Sequence, residues 1–321
     1  MVLGRREEIK AMPFWWSPQP DAPPRTRILK LGTFFLTVCA LGTVAEVAGL
    51  TIQTTRSILQ PARAPIENTP AEYGLSYEPV TFPSNDGTQL RGWFIPGGKT
   101  AVVLAHGHGG NRASMLSQAA FLHEHLGYST LLFDFRASGE SSGDRATLGY
   151  DEWRDIDGAV SYLRSRPEVD ADSIGAWGAS MGAAALLLMG NRAHAFKAIV
   201  VDSAFASGET LVKRFDRWFR LPAFPFAYAV PLAIRLSMGI SPSELAPVRT
   251  VSEISPTPIL FVHGELDGGI PPADALALYQ AAAGPNELWI ARHSGHTAAW
   301  DREEEEYKAR VSAFFRLHLR E

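Results

Sequence analysis

The chain has 321 residues, a net charge of −4 and one cysteine. That length suits one large α/β domain with something added, and the charge balance gives no basic surface for nucleic acid. The lone Cys39 excludes an intrachain disulfide. There is no glycine-rich dinucleotide or phosphate loop and no Cys/His cluster, which predicts neither a nucleotide cofactor nor a metal.

Residues 1–30 carry Phe14-Trp15-Trp16 among several prolines and read as a disordered tail. Residues 31–52 are predominantly apolar, with Glu46 the one charged residue. As a helix they rise about 33 Å, enough to cross a bilayer core. Two other origins compete. A buried helix fits poorly, because the remaining pattern starts well downstream. A cleaved signal peptide, with Thr43-Val44-Ala45 as its site, fits poorly after a long proline-rich tail. Arg25, Arg27 and Lys30 precede the span, which predicts a cytoplasmic N-terminus and a domain on the other side. Residues 53–76 read as a linker, stiffened by Pro61, Pro65 and Pro70.

Residues 77–321 read as the folded domain. Glu78–Pro83 and Gln89–Ile95 form a hairpin pattern around Asn85-Asp86-Gly87. Apolar strand patterns follow at Ala101–Ala105, 130–133, 173–177, Ala198–Asp202, 258–263 and 287–291. Helical patterns lie at 115–126, 150–166, 183–189, 272–283 and 297–319. Residues 205–256 break the alternation. They carry Phe215, Trp218, Phe219, Phe224, Phe226 and Tyr228, with Pro222, Pro225 and Pro231 between them. The prolines predict short helices and turns, and Arg214, Arg217 and Arg220 a basic face, either solvated or set against anionic headgroups, with solvation favoured.

Three residues carry the chemistry. Ser180 sits in Gly178-Ala179-Ser180-Met181-Gly182, between a strand and a helix. Asp267 and His296 each follow a strand. In a parallel sheet such loops open on one edge, where these sheets bind ligands. A serine hydroxyl needs an imidazole to take its proton, and the imidazole needs a carboxylate to fix its tautomer. Asp202 also ends a strand and is the alternative acid.

The order Ser…Asp…His and the strand–GASMG–helix context resemble the α/β-hydrolase superfamily. So do His106-Gly107-His108-Gly109-Gly110-Asn111, the loop Asp134-Phe135-Arg136-Ala137-Ser138-Gly139-Glu140-Ser141, HGELDGGIP at 263–271 and SGH at 294–296. Ala137 stands where that superfamily usually has glycine. Within the superfamily the chain looks most like the membrane-associated Bem46/ABHD-type serine hydrolases. The resemblance implies an α/β-hydrolase fold with a cap at 205–256, preceded by one transmembrane helix. It implies Ser180 as nucleophile with Gly178 and Gly182 shaping its turn, Asp267 and His296 completing a triad, and backbone N–H groups of His108 and Met181 as oxyanion donors. It implies hydrolysis of carboxylic esters, of lipids among others, with no cofactor. A peptidase or amidase with the same residues, and a binding protein that keeps the fold, are the competing expectations.

Overall fold

The computed structural model describes residues 24–214 and 219–319. The chain divides into two units, Met1–Ala48 and Gly49–Glu321.

In the first unit the described residues are the greater part of helix α1 (Pro24–Leu59). Leu31, Phe34, Phe35, Leu36, Leu41 and Val44 are all exposed on it. Arg27–Leu59 is long and apolar enough to cross a membrane by length and composition. The helix starts before residue 31: residues 24–30, expected in the tail, are helical, while residues 1–23 lie outside the described ones.

The second unit is built on eight strands: β1 (Glu78–Pro83), β2 (Gln89–Ile95), β3 (Ala101–Ala105), β4 (Ser129–Phe133), β5 (Ile174–Ala179), β6 (Ala198–Asp202), β7 (Ile259–Gly264) and β8 (Asn286–Ala291). Their order is β1-β2-β4-β3-β5-β6-β7-β8. β1 and β2 are antiparallel to their neighbours and the rest run parallel. Parallel strands buried on both faces read as continuous apolar runs, and β3, β4 and β6 are buried throughout. Alternate residues serve opposite layers. Val103 packs with α3 (Glu152–Arg164) and α4 (Met181–Leu188), through Ile156, Leu163 and Leu186. Val102 and Leu104 join the core of α2 (Leu116–Leu126) and the C-terminal helix, which holds Tyr307 and Phe314. This is the expected α/β-hydrolase architecture, with sharper limits. The helix predicted over 115–126 opens as a 3₁₀ turn at Arg112–Met115, and the one over 297–319 is broken at Glu303.

Two segments differ from expectation. Residues 53–59, read as the start of a linker, continue α1, and Thr54, Thr55, Ile58 and Leu59 are buried. The chain after them is pinned rather than free. Arg63 donates to the carbonyls of Ser138, Gly139, Ser141 and Gly143, and Asn111 to those of Ala64 and Pro65. The 134–143 loop pairs part of its own backbone, as in the Ser141 N–H on the Ser138 carbonyl, and the Arg63 guanidinium adds donors to four of its carbonyls. Ala137 occupies a left-handed conformation here (φ 57°), which explains why glycine is usual at that place.

The 205–256 insertion forms α5 (Gly208–Val212) and α6 (Ala223–Met238), then short turns. The 16 residues of α6 run longer than the prolines predicted. Pro225 falls in the first turn, where a missing N–H has no helical acceptor to lose, and Phe224 before it is extended. Pro231 alone interrupts the ladder, and buried Phe226, Val230 and Ile234 hold the helix across it. Phe215, Arg217 and Trp218 lie outside the described residues. Arg214 does not form a solvated face, since both its Nη atoms donate to Asp274 at 3.2 Å.

Candidate active site

β5 ends in a turn whose two glycines are demanded by space. A Cβ on Gly178 would lie 2.7 Å from the Ala183 nitrogen, and one on Gly182 2.2 Å from the Ala105 carbonyl oxygen. Both separations are far inside contact. Ser180 itself is held at φ 52°, ψ −111°, a conformation L-residues avoid. Its N–H donates to the Asp202 carbonyl at 2.8 Å, so the neighbouring strand fixes the strained turn. Helix α4 begins at the next residue, and the first N–H groups of a helix have no internal acceptor.

His296 and Asp267 converge on this serine. The Ser180 hydroxyl lies 2.9 Å from His296 Nε2, and His296 Nδ1 lies 2.6 Å from Asp267 Oδ2. A carboxylate only accepts, so Nδ1 carries the proton and Nε2 is left to accept from the hydroxyl. Asp267 Oδ1 accepts from the N–H groups of Gly269 and Ile270, both at 2.9 Å. Burial works to raise this carboxyl. Hydrogen bonds from His263 and His296, and the Ile270 N–H, outweigh it and hold the group well below the usual carboxylate range. Asp267 is therefore ionised wherever His296 can act.

Asp202, the alternative acid, is bonded to other side chains. It is buried, and its two oxygens accept from the hydroxyls of Ser203 (2.8 Å) and Tyr307 (2.9 Å). Burial pushes it above the usual carboxylate range against those bonds. Ser203 Oγ in turn accepts the Thr297 N–H at 3.0 Å. Asp202 thus steadies the loop that carries His296. Sequence reasoning missed Ser203, Tyr307 and His263. Tyr307 lies 105 residues from Asp202 and carries no motif, while His263, four residues before Asp267, places Nε2 at 2.7 Å from the Ile270 carbonyl and 3.4 Å from the carboxylate.

The 106–111 loop runs against the serine. A Cβ on Gly107 would lie 3.4 Å from the Ser180 Cβ. His106 is buried and structural: its Nδ1–H donates to the Gly107 carbonyl at 2.7 Å, and Nε2 accepts from the Phe135 N–H at 3.1 Å. Burial and its neighbour His106 push His108 down to about 4.

Two cavities meet at Ser180 and His108. One, of about 350 Å³, is polar and bordered by Gln118, Asp202, His296 and Thr297. The other, of about 220 Å³, is apolar, with Leu148, Met181, Leu211, Phe219 and Ile270 in its wall. Ser57, Ile58 and Pro61 complete that wall. Among the described residues the insertion supplies Phe205, Leu211 and Phe219 to it, while Phe224 and Tyr228 face outward.

Among the described residues no group of three or more His, Cys, Asp or Glu is placed to hold a metal. A model of the prolyl oligopeptidase family matches residues 114–321, which include Ser180, Asp267 and His296. The chain belongs to that family. It is a hydrolase of the α/β-hydrolase fold. The Bacillus subtilis protein YqkD is 28% identical over 240 residues, 72% of this chain and 77% of that protein. An α/β-hydrolase domain-containing protein of Arabidopsis thaliana, WAV2, is 26% identical over 227 residues, 68% of this chain and 70% of that one. The structure of an esterase from Pyrococcus furiosus superposes with a TM-score of 0.69 at 25% identity, covering 81% of this chain and all of that one (100%).

Proposed function

We propose that this prolyl oligopeptidase family member is a membrane-anchored serine hydrolase of carboxylic esters, of the Bem46/ABHD type. The observation that carries the proposal is the unbroken relay from Ser180 Oγ through His296 to Asp267, opening on an apolar cavity. Ser180 Oγ attacks the ester carbonyl carbon while His296 Nε2 takes its proton. The carbonyl oxygen becomes an oxyanion, held by the N–H groups of His108 and Met181. The intermediate collapses, the C–O bond breaks, and His296 returns the proton to the departing alkoxide. Water then enters with His296 as base, the acyl-serine is cleaved, and the carboxylic acid leaves. Asp267 stays ionised throughout and stabilises the imidazolium.

The apolar cavity receives the acyl group and the polar one the alcohol. Residues 31–52 cross the bilayer, the tail before them lies in the cytoplasm, and the catalytic unit lies outside. The family match favours a second reading, an amidase or peptidase with the same residues. Ester and anilide substrates of matched acyl group decide between them by kcat/KM.

The test is labelling with a small fluorophosphonate. Ser180→Ala is expected to abolish labelling and lower kcat by roughly 10⁵-fold or more in a folded protein, and His296→Ala to do nearly the same. Ester turnover undiminished in Ser180→Ala defeats the proposal. A membrane-impermeant fluorophosphonate is expected to label Ser180 on intact cells; labelling only after lysis reverses the orientation.

A further inference from the structure

Helix α6 has two apolar faces, and the described residues cover only one. Phe226, Val230 and Ile234 are buried against the unit. Phe224, Tyr228, Leu232 and Leu236 recur at every fourth residue and are 80%, 74%, 55% and 75% exposed. Four-residue spacing puts Tyr228, Leu232 and Leu236 in one row along the helix, and Phe224 precedes the row on extended backbone. Soluble surfaces seldom leave so long an apolar row bare.

The surroundings point to one occupant. The last turn of α6 borders a cleft shared with the last turns of α1, through Ser237 on one side and Thr55, Arg56 and Leu59 on the other. Arg145 Nη1 donates to the Ser237 carbonyl at 3.0 Å and closes that junction. Ile52, on the part of α1 that belongs to this unit, is also exposed. Arg220 lies before α6 and Arg235 near its end, both exposed. An exposed apolar row with cations at its ends is the pattern of a helix lying in a membrane interface.

We propose that α6 lies in the headgroup zone of an anionic bilayer, with Phe224, Tyr228, Leu232 and Leu236 in the lipid and Arg220 and Arg235 on the headgroups. This rests on the bilayer-anchored reading of α1 and adds to it a second contact, from the catalytic unit itself. The insertion that carries the row also supplies Leu211 and Phe219 to the apolar cavity. An acyl chain then passes from lipid to Ser180 along one element without crossing water.

The full chain, with Cys39→Ser, is reconstituted in phosphatidylcholine–phosphatidylglycerol vesicles. One environment-sensitive fluorophore is attached in turn at Leu232→Cys, Val44→Cys and Glu305→Cys. Lipids bearing a shallow quencher are expected to quench the probe at 232, lipids bearing a deep one the probe at 44, and aqueous iodide only the probe at 305. Lipid quenching at 44 with iodide quenching at 232 overturns the α6 proposal and leaves the anchor standing. Lipid quenching at 232 without any at 44 sustains α6 and removes the anchor. Shielding at 232 that appears only as protein is crowded in the vesicle means a second copy covers the row, and overturns the proposal. Replacing all four row residues by serine is expected to leave turnover of a water-soluble short ester intact and to lower turnover of a vesicle-embedded ester severalfold. Equal turnover of both substrates overturns it.

Discussion

The turn at Ser180 and the insertion over 205–256 are held in opposite ways. The turn is fixed by main chain: Gly178 and Gly182 lie against backbone, and the Ser180 N–H is bonded to the next strand. The insertion is fixed by side chains, through Arg214 on Asp274 and through Phe226, Val230 and Ile234. Its outer face is left bare. Backbone contacts hold a reacting atom to fractions of an ångström. Side-chain contacts permit a wall to change shape. On the proposed function, chemistry sits on the first kind of support and selectivity on the second.

Substitutions can break or sharpen this contrast. Asp267→Asn is expected to lower kcat by about 10⁴, because the amide favours the wrong imidazole tautomer. Asp202→Asn, one hydrogen bond further out, is expected to lower kcat far less, measured on the same ester. The reverse ranking moves the acid to Asp202 and dissolves the contrast.

Gly182→Ala sets a methyl 2.2 Å from the Ala105 oxygen and forces β3 or the turn to move. It is expected to destabilise the unit by about 3 kcal/mol in urea unfolding and to lower fluorophosphonate reactivity with it. A stable and fully reactive variant shows that the turn is less fixed than its contacts imply.

His108 supplies a pH test on the same floor of the site. The unfolded chain binds a proton near 6.5, and the folded protein only near 4. Between those values protons favour the unfolded chain, so the contribution is complete above about 6.5 and is lost as pH falls towards 4. His108→Gln keeps the backbone N–H. It is expected to remove on the order of 1 kcal/mol of the stability difference between pH 7 and pH 5, read from denaturant midpoints. An unchanged difference assigns the pH dependence to other groups.

The smallest effect belongs to the pocket wall. Ile58→Trp fills the apolar cavity from the α1 side and is expected to lower kcat/KM for long acyl chains by about tenfold relative to short ones. Labelling by a small fluorophosphonate should hold steady. An unaltered chain-length profile removes α1 from the substrate pocket.

Local pattern carried much of this protein. Continuous apolar runs marked the parallel strands, because strands buried on both faces admit little else. Gly178 and Gly182 marked the turn, because only glycine fits that close to backbone. The strand-end positions of Ser180, Asp267 and His296 predicted their meeting, because parallel strands deliver those loops to one edge. Other features had no local sign. The end of α1 walls a cavity around Ser180 more than a hundred residues away, and Arg63 closes a loop 75 to 80 residues further on. The choice of Asp267 over Asp202 as partner of His296 turns on which carboxylate the 294–297 loop brings within hydrogen-bond reach. The outward row of α6 alternates with an inward one that is also apolar, so periodicity alone assigns neither face. Sequence pattern determines which residues must be buried or turned; only packing decides which buried groups, distant along the chain, become neighbours.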